Sequence, residues 1–441
     1  MTSSERDENR SVWLAGKPPD QATPALAADV EVDLAIVGGG FTGVSTAYHF
    51  KRRFPQKRVV LLEARTLGHG ASGRNGGLLL NWINGAHPAD AMGAKQIFDA
   101  TQEGMAIVDG MIRDHGLAVP CARDGALEVI TDERRWPAAV AEVERLAGVG
   151  VPLRALSRAE LEGYIDVRGA AGAVLDPTAG RLDGIALLRG LAPVLAALGV
   201  EVHEQTPVAR IVDGETVELT TPQARVRARA IVLATNAYTP RLGLFGDGVC
   251  AVHSLAIATE PRSPEDWAAR GWRRGAGFSD DRDRLSYASM TLDGRLVFGG
   301  GSNAAYRYRF GNRPDLDRAA DGAYEEIHAQ LCRYLPGAAD VPLAHRWSGP
   351  VALTLSRMCT MGVRGAHRNV YYALGYSGHG ITLANLAGRV LTDLYAGEGE
   401  RWRALPFYER RLGYIPPEPF RWLGYQLYTK LTGRSPRKEL A

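Results

Sequence analysis

A chain of 441 residues is longer than one hydrophobic core usually serves and suits two domains folded together. Its 45% hydrophobic and 23% charged residues are ordinary for a globular protein, and a net charge of +3 with no basic run leaves no footprint for nucleic acid. Four scattered cysteines without a CxxC pair, a polar start and the lack of an apolar run of roughly 18 residues argue against a disulfide scaffold, a secretory leader and a membrane span, so a soluble, cytoplasmic protein with reduced thiols is expected.

The first 29 residues are rich in Pro, Ala and Asp and read as an arm on the surface. Val30 to Val37 reads as a strand, Phe41 to Arg52 has helical spacing and Val59 to Glu63 is a second buried strand. This β-turn-α-β opening implies a parallel sheet with a right-handed crossover. From about Pro88 to Gly163 the pattern is helical around one strand, Gly125 to Thr131. An amphipathic helix is predicted over Ile185 to Leu198, then short strands at Val200 to His203, Val208 to Val212, Thr216 to Thr220 and Ala224 to Ala234. The last of these ends in an all-apolar stretch suited to a sheet covered on both faces. Residues 248–301 alternate, with an antiparallel hairpin over Ser286 to Gly299 that turns near Asp293-Gly294. Val370 to Leu374 is a final buried strand, followed by a glycine loop and a helix from Leu383 to Tyr395. In the tail, Phe420, Leu423, Leu427 and Leu431 share one helical face, expected to dock on its own domain or a second subunit rather than on a membrane surface.

Three glycine-rich segments carry the chemistry. Gly38-Gly39-Gly40-Phe41-Thr42-Gly43 is a GxGxxG between a strand and a helix. There Gly38 permits the tight turn, Gly40 admits a pyrophosphate and Gly43 lets the helix pack on the strand. Glu63, with Ala64 and Arg65 beside it, ends the second strand 20 residues after Gly43, where a carboxylate binds both ribose hydroxyls and disfavours a 2′-phosphate. In Gly68 to Gly77, five glycines in ten residues make neither strand nor helix, and exposed amides with Ala71, Ser72, Arg74, Asn75, Gly76 and Gly77 suit more pyrophosphate and the face of a flat ring. The third segment, Gly375-Tyr376-Ser377-Gly378-His379-Gly380-Ile381, again runs from strand to helix, and the helix N-terminus favours negative charge on a nearby ring.

The order VGGGFTG, LLEARTLGHGASGRNGG, IVLATNAYTP, HRWSG and YYALGYSGHGITLANLAGRVL resembles the FAD-dependent oxidoreductases of the D-amino-acid-oxidase superfamily, and most of all the gamma-glutamylputrescine oxidoreductase branch related to glycine oxidase and sarcosine oxidase. The resemblance spans about Trp13 to Thr432. It implies an α/β fold: a Rossmann-like FAD-binding domain of discontinuous segments (30–84, 180–240 and 345–400), a mixed-sheet substrate domain (85–179 and 241–344) and a C-terminal tail (401–441). FAD would be held non-covalently, its ring against Arg74 to Gly77 and the C-terminal glycine loop, with Val208 at the adenine, Thr235 and Asn236 at a strand end near the cofactor, and Gly349 among the cofactor-binding residues. The implied reaction is oxidation of an amine to an imine, with oxygen or another acceptor completing the cycle. A flavin dehydrogenase acting on a C–OH group and a flavin-binding protein with a degenerate site stay open as alternatives, as does homo-oligomerisation. No metal site is expected.

Against that branch, Ser356 and Ser289 stand where charged residues would be expected, which predicts a substrate end stripped of charge. No lysine occurs between Lys95 and Lys430, so either His345, Arg346 or His379 replaces the cation that helps oxygen accept an electron in sarcosine-oxidase-like members, or oxygen reacts slowly and another acceptor is used. His345 and Trp347 are candidates for the pocket, with core packing as the alternative for each, and with His379 they make up the candidate catalytic set. Tyr306 and Tyr308 read as a solvated loop or an aromatic lid.

Overall fold

The computed structural model describes residues 9–15, 23–86, 88, 90–282, 284–314 and 321–432. The parts of the predicted arm and tail at 1–8, 16–22 and 433–441 lie outside the described residues.

The apolar runs near the N-terminus form the centre of the first sheet. Val30–Val37 lies between Val59–Leu62 and Arg225–Leu233, parallel to both, and Val200–His203 adds a further parallel strand beyond Val59–Leu62. The other edge of Arg225–Leu233 is shared: Val217–Thr220 pairs antiparallel with its first half, and Val370–Leu374 runs parallel to its second half. The change in burial along Arg225–Leu233 explains the sharing. Its first half alternates exposed and buried residues, whereas Ala230 to Leu233 is wholly buried and needs cover on both faces. The helices Phe41–Arg53 and Gly380–Tyr395 supply part of that cover and pack on each other at Ser45, whose hydroxyl donates to the Asn385 carbonyl at 2.6 Å.

A second sheet is built around Cys250–Thr259, with Leu343–Leu353 on one edge and Tyr306–Tyr308 and Leu296–Gly300 on the other. It continues through Ser286–Met290, Gly277–Asp280, Ala126–Ile130, Gly172–Asp176 and Arg154–Ser157. The Ser286–Met290 hairpin pairs Met290 with Leu296 around Asp293-Gly294, where Gly294 has φ +83°. The architecture is thus α/β with a mainly parallel sheet assembled from distant segments and a mixed second sheet. Leu343–Leu353 belongs to the second sheet, although it begins the segment assigned by sequence to the first.

Three local expectations are corrected. Residues 9–15 of the N-terminal arm do not lie on the surface: Ser11 and Trp13 are buried, Trp13 Nε1 donates to the Asn75 carbonyl at 2.7 Å, and Ser11 Oγ donates to the Gly73 carbonyl at 2.5 Å. Tyr306–Tyr308 is a strand, because its backbone completes the edge of Cys250–Thr259. The tail helix Phe420–Thr432 does dock on its own chain, but through Arg421 and Tyr425, leaving the predicted docking face in solvent. Phe420, Leu423, Leu427 and Leu431 are 64%, 51%, 58% and 73% exposed.

Candidate active site

The first glycine motif takes its shape from backbone contacts that exclude side chains. Gly38 sits at φ +107°, a left-handed conformation that glycine adopts without strain, and donates its N–H to the Leu62 carbonyl at 2.8 Å. A Cβ on Gly43 would run into the Gly38 carbonyl oxygen, so the helix can approach the strand only if residue 43 is glycine. No side chain caps the helix at Gly40. Glu63 reaches the turn from the neighbouring strand, its carboxylate accepting from the Gly39 amide at 2.7 Å and the Arg65 amide at 2.8 Å. Burial pushes its pKa up while these amides pull it down, with burial the larger effect.

The second glycine segment closes over the first. Gly68 donates to the Gly39 carbonyl at 3.0 Å, and Ser72 Oγ accepts from the Phe41 amide at 3.1 Å. Arg74 is buried and donates to three carbonyls, those of His69, Asn9 and Ser348. Burial pushes its pKa down to about 10, which leaves it cationic at neutral pH. Asn75 holds the loop from inside, accepting from the Gly77 amide at 2.9 Å and donating to the Ser72 carbonyl at 2.7 Å. The N-terminal residues Asn9, Ser11 and Trp13 therefore act as the floor of this loop, a role the sequence pattern did not disclose.

The third segment is tied to elements of both sheets. Asn236, itself at φ +42°, accepts from the Gly375 amide at 2.9 Å, and Tyr376 OH meets Thr42 Oγ1 at 2.7 Å. Ser377 donates from its backbone to Ala352 at 3.2 Å. His379 stands at the N-terminus of the helix Gly380–Tyr395 with Nδ1 buried and unpartnered, and Thr382 Oγ1 one turn further on is buried and unpartnered too. Burial pushes the His379 pKa down to about 4, so the ring is neutral at physiological pH.

These segments line one continuous cavity of about 1550 Å³, larger than the roughly 300–1,000 Å³ of most small-molecule sites. Its wall includes Gly38, Gly40, Phe41, Thr42, Glu63, Ala64, Arg65, Ala71, Ser72, Arg74, Asn75, Gly76, Val208, Thr235, Asn236, Gly349 and Tyr376 to Ile381. Gly43, Gly77 and Gly375 stand just behind the wall and shape it.

Two of the three candidate catalytic residues lie elsewhere. Trp347 is fully buried, donates Nε1 to the Arg74 carbonyl at 3.0 Å and packs with Trp13, Ile185, Ala256 and Val297. His345 lines a separate cavity of about 280 Å³ beside Trp13 and Arg181. Strand alternation explains both: His345, Trp347 and Gly349 share one face of Leu343–Leu353, and only Gly349 is far enough along to reach the main cavity. The histidine expected to stand in for the lysine cation is therefore absent from the described wall in charged form, because His379 is neutral and His345 is remote. Arg346 is also off the wall and faces Asp321 at 3.6 Å.

Apart from Tyr306, which the sequence offered for an aromatic lid, the far end of the cavity was not legible in the sequence. It is lined by Arg284, Tyr287, Tyr306, Arg357, Tyr425 and Tyr428. Arg284 lies over the rings of Tyr306, Tyr425 and Tyr428 at 5.9, 6.0 and 5.0 Å, and Arg357 donates to Tyr428 OH at 3.1 Å. This end of the cavity therefore carries charge, although not from Ser289 or Ser356. Ser289 is buried with its hydroxyl on the Gly76 carbonyl, and the charge comes from Arg284 and Arg357 instead. Glu63 is the single carboxylate among the described residues lining the cavity. Among the described residues there is no group of His, Cys, Asp and Glu placed to hold a metal, and no helix long and apolar enough to cross a membrane.

Comparison with known proteins gives this arrangement a family. The chain is 30% identical to gamma-glutamylputrescine oxidoreductase of Escherichia coli (strain K12) over 420 residues, covering 92% of this chain and 93% of that one. Glycine oxidase of Geobacillus kaustophilus (strain HTA426) is 24% identical over 85% of this chain and 96% of that one. The crystal structure of the Geobacillus kaustophilus glycine oxidase superposes with a TM-score of 0.74 at 22% identity, covering 86% of this chain and 99% of that chain. That of L-proline dehydrogenase from P. horikoshii gives 0.70 at 19%, covering 86% and 98%. Residues 33–394, which contain all three glycine segments, match the sequence model described as FAD dependent oxidoreductase, and the chain is a member of that family of FAD-dependent enzymes.

Proposed function

We propose that the chain holds FAD non-covalently along the main cavity and oxidises a C–N bond in a small amine or amino-acid derivative that carries an anionic group. The continuity of one cavity from the Gly38–Gly43 turn to the arginine-tyrosine end carries this reading. The residues fit the cofactor: a helix N-terminus without a capping side chain would hold the phosphates, Glu63 would accept from the ribose hydroxyls, and the orphaned His379 Nδ1 would offer a hydrogen bond to the ring. Cys250, the cysteine on the wall, has its thiol pushed up to about 12 by burial, which disfavours a thiolate link to the cofactor.

Bound FAD supplies the two-electron acceptor for a substrate C–H bond; everything else is positioning and field from this chain. Arg284 and Arg357 receive the anionic group of the substrate, and the ring wall of Tyr287, Tyr306 and Tyr425 keeps water from the reacting carbon. With two arginines and, among the described residues lining the cavity, no carboxylate at this end, the field disfavours the ammonium form of the bound amine and so favours the neutral amine from which oxidation proceeds. The names of the relatives, gamma-glutamylputrescine oxidoreductase and glycine oxidase, point to the same substrate class. The acceptor is oxygen or another oxidant.

Turnover with a panel of amino acids, N-alkyl amino acids, diamines and 2-hydroxy acids, read as carbonyl product, tests the proposal. Product from the anionic amines is expected. Product from hydroxy acids alone would replace the C–N reading by oxidation of a C–OH group.

A further inference from the structure

Eight of the twelve large apolar side chains exposed among the described residues gather on the tail helix and at the cavity mouth beside it. Leu355, Tyr414, Phe420 and Tyr428 are exposed and also line the mouth of the main cavity, and Trp422, Leu423, Leu427 and Leu431 extend the same patch along the tail helix. Phe420, Leu423, Leu427 and Leu431 recur every three or four residues, so they form one stripe. The helix is held in place from its other side: Arg421 donates to the Pro416 carbonyl at 3.0 Å and the Gly246 carbonyl at 2.5 Å, and Tyr425 OH donates to the Tyr306 carbonyl at 3.1 Å. Glu418 accepts from the Trp422 amide at 3.0 Å. The stripe is therefore presented outward by a fixed helix, and among the described residues no element covers it.

Charge identifies what covers it. From Phe420 to Ala441 the sequence carries Lys430, Arg434, Arg437 and Lys438, besides the inward-bonded Arg421, against the single acid Glu439, whereas the whole chain has a net charge of only +3. A leucine stripe flanked by Trp422 and Tyr428 and followed by basic residues combines the apolar burial and the electrostatic attraction that hold a helix in a headgroup layer. A second copy of this chain would set these like charges against each other. We propose that the tail helix Phe420–Thr432 is a docking surface for an anionic lipid bilayer, lying in the interface through Leu423, Leu427 and Leu431 without spanning it. This seat places the mouth of the cavity against the headgroups. The proposal does not depend on which substrate the cavity takes.

The test uses the full-length holoprotein and vesicles of phosphatidylcholine, with and without phosphatidylglycerol. Sedimentation with the anionic vesicles is expected, weakened by salt, and reduced about tenfold by Leu427→Glu or Leu431→Glu. Both positions are exposed, so FAD content and far-ultraviolet circular dichroism should match the parent and show that the fold is kept. Three results would overturn the proposal: no sedimentation of the parent, equal binding to neutral and anionic vesicles, or binding untouched by both variants. A parent that runs as a dimer, turns monomeric with Leu427→Glu and ignores vesicles would assign the stripe to a second copy instead.

Discussion

The Trp347 indole N–H donates to the Arg74 carbonyl oxygen at 3.0 Å from a side chain with no exposed surface. Arg74 in turn hydrogen-bonds Asn9 and Ser348, so the second glycine segment is clamped between the N-terminal arm and a strand of the second sheet. Trp347 thus positions the second glycine segment. Trp347→Phe keeps most of the packing and removes the donor, leaving a buried carbonyl without its partner at a cost of about 1–3 kcal/mol. FAD should be retained several-fold less tightly, with catalytic rate per bound FAD little changed; a flavin titration of deflavinated protein checks this.

Gly43→Ala addresses the first motif. The added methyl meets the Gly38 carbonyl oxygen, and helix Phe41–Arg53 must move off the strand. Destabilisation of about 2 kcal/mol or more is expected, with loss of bound FAD, measured by thermal unfolding and by the visible spectrum.

Burial pushes the pKa of both His49 and His379 down to about 4. A histidine whose folded pKa is depressed binds its proton more readily in the unfolded chain. Stability should therefore fall as pH drops from about 6.5 toward 4 and level off below, with no contribution from these groups above 6.5. Each contributes at most about 3 kcal/mol across that window. His379→Gln should flatten the dependence of the unfolding midpoint on pH between 4 and 6.5, and an unchanged slope would show that His379 is not held neutral.

Arg284→Met and Arg357→Met test the substrate end. Loss of one charge-assisted hydrogen bond, about 1.5–3 kcal/mol, should raise KM for an anionic amine by about ten- to hundredfold while FAD content stays at the parent level. Steady-state kinetics with an uncharged amine as the comparison separates this from a general loss of activity.

The legible parts of the molecule were those with local signatures. Val30–Val37, Gly38 to Gly43, Glu63 and Val370–Leu374 announce themselves because strand composition and glycine spacing are properties of adjacent residues. The substrate end is different in kind. Arg284, Arg357 and Tyr425 come from three distant segments and share no spacing, so only the packing of the second sheet and the tail helix brings them together. Asn9 and Trp13 were hidden for a related reason, since an arm without periodicity gives no sign that it threads under a loop 60 residues away. For His345 and Trp347 the HRWSG motif marked the right strand, but only the register of that strand decides which residue reaches the cavity.

Whether one cavity joins bound FAD to an amine is tested most directly by anaerobic mixing. Purified protein should release FAD into the supernatant on acid precipitation. Before precipitation, its visible absorbance should bleach without oxygen on adding an amine with an anionic group, and bleach far more slowly in Arg284→Met. FAD that stays with the pellet, or a spectrum unmoved by every amine yet bleached by a hydroxy acid or by dithionite alone, would contradict the account.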